Sequence, residues 1–572
     1  MNSKALPERS TAAAFLSALH RRGIHQVFAN AGTDFAPVIE ALSAAQRTGD
    51  QAPQFMTIPH EAVAMAMAQG YARQSGAPAA VMVHVSVGTA NALCGLMNAA
   101  RDHIPLLLMA GRTPLTESGA IGARSIGIHW GQESFDQAAM VREFVKWDCE
   151  LRAGQPVDTI IGRALDIAMT EPRGPVYLSL PREVLGCEHG APGPGPRARP
   201  LGTPTPAPAP DPIAQAADLI AAAKNPLILA GRTGARRGGA QALGDLTQDF
   251  ALPVVHVNQP CLPSAHPMNL GFDLKERLEA ADVIVVLECA VPWIPQAMAP
   301  RPDAKLIHIA VDPLYGALPQ RGFPFDVAIA GDPLAALRLL HEALDRKTKR
   351  RSAGSVERLL KIKSAHAVLE KRRARQISEA ATAHPISPVW VAACLNQIKT
   401  PDTIIINELG IPIDILDHTA PDSYIGVSEA GGLGAGLGLA LGAKLAVPER
   451  DVILAVGDGS YIFGNPTAAH MTAHAHSLPT LTVICNNSMW YAVRRATLAM
   501  YPDGEASKAN DMPLVDLSPS PAFERMMEAC GGWGGRVEDP ADLPGALAIA
   551  LKKVRGGTPA LLNVITEPGG RG

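Results

Sequence analysis

Short apolar runs recur along the chain, and each is followed by a longer stretch whose apolar positions fall at helical spacing. From about residue 10 to 188 the runs "HQVFA", "AAVMVHV", "PLLLMAG" and "PVYLSLP" alternate with Ala/Leu-rich segments, the signature of a parallel sheet wrapped by helices. The pattern returns between 213 and 345 in "PLILAG", "PVVHV", "DVIVVLE", "KLIHIAV" and "FDVAIAG". It returns again between 380 and 566 in "TIIINE", "DVILAVGDG", "PTLTVICNN" and "PALLNVIT". The predicted architecture is α/β: three successive domains, each a mostly parallel sheet flanked by helices. Residues 189–212, dense in Pro and Gly, predict an extended linker. A charged helical segment over 346–379 bridges the second and third blocks, and 567–572 form a Gly-rich tail.

With 572 residues, 47% hydrophobic and 18% charged, the chain is long enough for several cores. A formal net charge of -3 points to neither nucleic acid nor an anionic membrane as partner. No apolar run of about 20 residues predicts a membrane span, and the N-terminus carries Glu8 and Arg9 with no secretion-type core. The cysteines are scattered without any Cys-x-x-Cys, so reduced thiols in the cytoplasm are expected and zinc is not.

In "DVILAVGDGSYIFG" a buried strand runs into Gly457, Asp458, Gly459 and Ser460, while "LPTLTVICNN" ends in Asn486 and Asn487. Oxygen-bearing side chains beyond the carboxyl ends of parallel strands suit Mg²⁺ with phosphate oxygens. Taken alone, the first motif also reads as a tight turn and the second as a polar loop. In this order, with Ser460 to Cys485 between them, the pair resembles the signature of thiamine diphosphate (ThDP) enzymes of the pyruvate decarboxylase and acetolactate synthase superfamily. The run "EAGGLGAGLGLALGAKLA", Glu429 to Ala446, is similar to that superfamily's Gly-rich segment entering a helix.

The resemblance implies an N-terminal pyrimidine-binding domain (1–188), a Rossmann-like middle domain (213–345) and a C-terminal diphosphate-binding domain (380–566). It implies that Asp458, Asn487 and the Met489 carbonyl bind the metal, and that Gly459 and Ser460 face the diphosphate. Leu433, beside Gly432, would wedge the cofactor into a bent shape, with Asn407, Glu408, Leu409, Trp490 and Tyr491 bordering it.

In the first block, "ANAGTD", Glu61 and His84 follow successive strand candidates, so their chemistry converges on one sheet edge. A Glu opening a helix also suits the helix dipole, and a single His ending a strand is often structural. Within the superfamily, "PHEAVAMAMAQGYAR" implies that Glu61 bonds the cofactor's aminopyrimidine and promotes formation of the C2 ylide. There the glutamate and the diphosphate site come from different subunits, which implies at least a homodimer and commonly a tetramer.

"HVSVGTANAL" and "INELGIP" resemble benzoylformate decarboxylase more than acetolactate synthase, which implies a proton-shuttling role for His84. Thr33 with Asp34, and His129, Trp130 and Gln132 of "GIHWGQESFDQ", stand where family members place substrate-facing groups. "ECAVPWIP" after the strand "DVIVVL" argues against FAD, although "LAGRTGARRGG" is basic and Gly-rich enough to hold a nucleotide phosphate. The expected activity is ThDP- and Mg²⁺-dependent decarboxylation of a 2-oxo acid through a ylide and an enamine, with His84 and His129 moving protons. Rival readings are carboligation, an acetolactate-synthase-like transfer, 2-hydroxyacyl cleavage, or a non-catalytic ThDP- or nucleotide-binding subunit.

Overall fold

The computed structural model of the protein describes residues 10–189, 199–348 and 353–568. The chain divides into two compact units. One comprises Met1–Pro204, Val427–Arg536 and Ile549–Asn563; the other comprises Thr205–Gly426, Val537–Ala548 and Val564–Gly572. The strands form three sheets, all parallel and flanked by helices, so the protein is α/β.

The first sheet contains β1 (Gln26–Ala29), β2 (Gln54–Thr57), β3 (Ala79–Val83), β4 (Leu106–Arg112), β5 (Asp148–Glu150) and β6 (Val176–Pro181). Its order is β2-β1-β3-β4-β6-β5. The central strands β3, β4 and β6 are buried almost throughout, which is why they read as continuous apolar runs. Because β1 lies between β2 and β3, the chain reverses its direction of travel across the sheet there. The crevice beyond the carboxyl ends of β1 and β3 is the topological switch point where such sheets bind ligands.

The same unit holds a close helix pair. Helix Glu61–Ser75 is buried over most of its circumference, as is Gly436–Ala446, and the two pack directly on one another. A Cβ on Gly442 would stand 1.9 Å from the Met67 carbonyl oxygen, and one on Gly438 would stand 2.5 Å from the Ala66 Cβ. These glycines of the Gly-rich run therefore serve backbone-to-backbone approach within a helix. The run's turn is made earlier, at Gly431 (φ 68°) and Gly434 (φ 82°).

In the other unit the strand order is Val327–Ala330, Lys305–Ala310, Val283–Leu287, Pro226–Ala230, Val254–His256. Three strands were not expected from the sequence: Asp148–Glu150, Tyr424–Ile425 and Trp533–Val537. Each occupies a sheet edge, where one flank is unpaired and a strong apolar pattern is not required. Within the expected linker, 190–198 lie outside the described residues, and helix Pro210–Ala222 already begins in its last positions. The charged segment contains helix Ala353–Ala380, and 569–572 of the tail lie outside the described residues. Among the described residues no helix is long and apolar enough to cross a membrane.

Candidate active site

A cleft opens at the switch point of the first sheet, lined by Thr33, Asp34, His84, Val85, Arg112, Thr113, Pro114, His129, Gln132 and Arg182. Asp34 follows β1, His84 follows β3, Arg112 ends β4 and Arg182 follows β6, so parallel pairing delivers all four to one edge. His84 follows β3 directly, as expected, at the N-cap position of helix Val85–Arg101, and its side chain makes no cap hydrogen bond there. The next residue, Val85, holds φ at 31°. That left-handed conformation is costly for a β-branched side chain, of the order of 1–3 kcal/mol, and such strain clusters at functional sites. Here it leaves the Val85 amide donating to Asp34 Oδ2 at 3.4 Å.

The imidazole of His84 is held from both sides. Nδ1 donates to Asp34 Oδ1 at 2.5 Å, and in the neutral ring Nε2 accepts from the Gln132 amide at 3.3 Å. The Asp34 hydrogen bond raises the His84 pKa above its ordinary value against the opposing effect of burial, and the charge of Glu61 adds in the same direction. Two glycines make room for the pair. A Cβ on Gly32 would lie 2.0 Å from His84 Nδ1, and one on Gly111 would lie 1.6 Å from Asp34 Oδ2. Behind Gly111, the Gln137 amide donates to the Gly111 carbonyl at 2.9 Å and to the Tyr177 hydroxyl at 2.8 Å, which in turn pairs with Thr89. That buried network is satisfied at each of these contacts and stiffens the floor of the cleft.

His129 is only 3% exposed and accepts from the Ser125 amide through Nδ1, so its proton resides on Nε2. Burial lowers its pKa, and the charges of Arg182, Arg124 and His84 lower it further against Glu183 alone. The two histidines are thus pushed apart in acidity, with His84 the one that holds a second proton more readily.

Glu61 opens helix Glu61–Ser75 and is 7% exposed. His60 caps this helix by accepting from the Ala62 amide, so the carboxylate is not spent as the cap. Instead Glu61 Oε2 accepts from the Asn91 amide at 3.2 Å, and Gly88, one turn before Asn91, would bring a Cβ to 3.3 Å from Oε1. One oxygen is anchored and the other faces a position kept clear by a glycine.

The second constellation stands where strand Val452–Gly457 pairs with Leu481–Asn486, Gly457 opposite Cys485. The register puts Asp458 beside Asn486, with Asn487 next along. Asp458 is 2% exposed; one side of its carboxylate takes backbone amides around Gly459, Asn487 and Ser488, whereas Oδ2 is buried with no hydrogen-bond partner among the described residues. Burial pushes its pKa up to about 6. A buried carboxylate oxygen without a donor is costly, and the adjacent oxygen ligands make it a fitting place for a hard cation. Asn486 is committed elsewhere: its amide donates to Asn563 and its oxygen accepts from Ser488 and Ser520. Asn487 Oδ1 accepts the Met489 amide, and the Met489 carbonyl accepts the Tyr491 amide. Ser460 is buried beside Asp458, and the Trp490 ring covers Gly459 so closely that a Cβ there would meet it at 2.5 Å. Tyr491 begins helix Tyr491–Met500.

Of the other expected residues, Gly432 exchanges two hydrogen bonds with the Asn98 side chain, and Leu433 is half-buried beside it. Asn407 spends its side chain on the backbone of Gly410 and Ile411, Glu408 is buried, and Leu409 is exposed at φ 59°. Trp130 is 49% exposed; its ring packs on Arg124 at 5.2 Å and does not line the cleft. In the basic loop after Pro226–Ala230, Arg236 and Thr233 both bond the buried Glu288. Arg112 and Arg182 escaped the sequence reading, although each stands at the carboxyl end of a predicted strand. Among the described residues no group of three or more His, Cys, Asp or Glu could hold a metal.

The fold is thus a parallel α/β one with a titratable cleft at a switch point of the first sheet and a buried carboxylate with amide neighbours at Asp458. Three family descriptions match in chain order: "Thiamine pyrophosphate enzyme, N-terminal TPP binding domain" over 9–140, the central domain over 213–340 and the C-terminal TPP binding domain over 413–564. The chain belongs to the thiamine pyrophosphate enzyme family.

It is 27% identical over 579 residues to benzoylformate decarboxylase of Pseudomonas aeruginosa, with 96% of this chain and 97% of that one covered. It is 26% identical over 569 residues to the acetolactate synthase isozyme 3 large subunit of Escherichia coli, covering 96% and 93%. The fold is shared with the thiamine diphosphate-dependent 4-hydroxybenzoylformate decarboxylase of Rhodococcus jostii RHA1. That match has a TM-score of 0.76 at 23% identity and covers 98% of this chain and 99% of that one.

Proposed function

We propose that this chain is a ThDP- and Mg²⁺-dependent lyase that removes CO₂ from a 2-oxo acid. The observation that carries the reading is the Asp34–His84 pair on the wall of the switch-point cleft, with Nε2 turned toward Gln132 and the cleft. Such a histidine can give a proton to a developing carbanion and take one back. Related decarboxylases and the intact Asp458 constellation support the same assignment.

Asp458, Asn487 and the Met489 carbonyl would hold Mg²⁺, and the unpaired Asp458 Oδ2 fits that role. Gly459 and Ser460 would face the diphosphate, Leu433 the bend of the cofactor, and Glu61 its aminopyrimidine. When bound, thiamine diphosphate supplies a carbon nucleophile for the 2-oxo group and a sink for the electrons left by CO₂. Glu61 holds or releases a proton at its free oxygen while Asn91 fixes the other. His84 supplies the proton that replaces CO₂, and neutral His129 offers Nε2–H as a hydrogen-bond donor to substrate. We assign Glu61 and Asp458 of one catalytic centre to different protomers, so the working form is at least a homodimer.

The test is reconstitution of the purified chain with ThDP and Mg²⁺ and a CO₂-release assay over a panel of 2-oxo acids, with and without an acceptor aldehyde. CO₂ release that falls about 100-fold in His84→Ala is the expected result. Absence of CO₂ from every acid in the panel would overturn the reading.

A further inference from the structure

The cleft holds more positive charge than the His84–Asp34 pair accounts for. Arg112 is neutralised by Glu150 at 2.9 Å and Glu133 at 3.1 Å, and Arg124 pairs with Glu133 as well. Arg182 is different. Its Nε and Nη2 donate to the carbonyls of Gly122 and Ala123 at 2.6 and 2.9 Å, and among the described residues no carboxylate pairs with it. Its sequence neighbour Glu183 is buried and already takes the amides of Leu115 and Thr116 and the Thr116 hydroxyl. The guanidinium is therefore clamped by backbone on two donors, Nη1 makes no hydrogen bond among the described residues, and Arg182 shares the cleft wall with Thr33, His84, His129 and Gln132. A planar cation held in this way is pre-organised to receive a carboxylate.

The leaving carboxylate is the wrong ligand for it. A cation against that group would stabilise the charged ground state more than the neutral CO₂ that departs, which raises the barrier. A fixed arginine is useful to a carboxylate that keeps its charge throughout. Resting on the decarboxylase reading above, we propose that Arg182 receives a second, retained carboxylate, so that the acid taken by this cleft is a 2-oxo dicarboxylate. The neutral His129, which feels Arg182 more strongly than Glu183, stands beside it as a further donor.

The test compares wild type, Arg182→Gln and Arg182→Lys as ThDP- and Mg²⁺-loaded enzymes. Substrates are 2-oxoglutarate and 2-oxoadipate against 2-oxopentanoate and 2-oxohexanoate, and glutarate and adipate serve as unreactive ligands in calorimetry. In wild type, kcat/KM is expected to be at least tenfold higher for the dicarboxylates. Arg182→Gln is expected to raise KM for the dicarboxylates at least tenfold more than for the monocarboxylates, and Arg182→Lys to retain part of the preference. Equal loss for both substrate classes would make Arg182 a support for the Gly122–Ala123 loop and would overturn the proposal, as would a wild type without the preference. If no 2-oxo acid loses CO₂, the decarboxylase reading fails by itself, and calorimetry still decides the subsite: glutarate or adipate bound by wild type and lost in Arg182→Gln upholds it. No binding by wild type overturns it.

Discussion

His84 Nδ1 lies 2.5 Å from Asp34 Oδ1, a contact between residues 50 positions apart that exists because β1 and β3 are neighbours. The contact holds the imidazole in one orientation and raises its pKa. The raised value means that the pair's stabilisation is full below the unfolded histidine pKa, about 6.5, and is lost as pH rises through the folded value.

Replacing Asp34 by Asn removes the charge and keeps the shape. The His84 titration, followed by NMR of its ring carbons, is expected to move to lower pH, and CO₂ release to fall about 10–100-fold. An unmoved His84 titration would show that Asp34 does not set its acidity.

Gly32 and Gly111 are the space in which that pair sits. Neither Gly32→Ala nor Gly111→Ala can be accommodated without displacing His84 or Asp34, since the added Cβ would fall at 2.0 and 1.6 Å from them. Each substitution is expected to cost about 1–3 kcal/mol of stability, read from denaturant unfolding, and to abolish most activity.

Asp458 is a buried carboxylate with an oxygen that no group among the described residues satisfies. Asp458→Asn is expected to raise the melting temperature of the cofactor-free protein, because it removes a charge that burial penalises. The same variant is expected to lose the stabilisation that ThDP with Mg²⁺ confers on wild type. Thermal denaturation with and without both ligands reads both effects.

Gly442 meets the Met67 carbonyl across the helix pair, where a Cβ would come within 1.9 Å. Gly442→Ala must push helix Gly436–Ala446 away from helix Glu61–Ser75 and is expected to destabilise by more than about 2 kcal/mol. Gly545→Ala, with open space around its Cβ position, is the control and is expected to be nearly neutral.

The buried strands were legible because a strand covered on both faces must be apolar along its length, and β3, β4 and β6 are such strands. Glu61, Asp458 and Asn487 stood out because each interrupts an apolar or Gly-rich pattern at a strand or helix end, while the roles expected of them came from the family resemblance. Arg182 was not legible, because a single arginine after a strand has no pattern; what distinguishes it is that its guanidinium is held by backbone carbonyls and, among the described residues, by no carboxylate. Asn91 was hidden for a similar reason, since its role depends on Glu61 lying across a helix start 30 residues earlier. Trp130 stood in the right segment but turned onto Arg124, a cation-π contact that sequence spacing does not foretell. The Gly-rich run was read as entering a helix, but that its glycines at 438 and 442 serve close packing against helix Glu61–Ser75 was not legible, because the partner backbone lies far away in sequence.

The most direct measurement is CO₂ release from a 2-oxo acid by the ThDP- and Mg²⁺-loaded enzyme, wild type against Glu61→Gln, with cofactor binding followed in parallel by calorimetry. The expected result is turnover by wild type and a loss of at least about 100-fold in Glu61→Gln, with the cofactor still bound. Equal CO₂ release by the two proteins would contradict a catalytic Glu61, and no release by wild type from any 2-oxo acid would contradict the lyase itself.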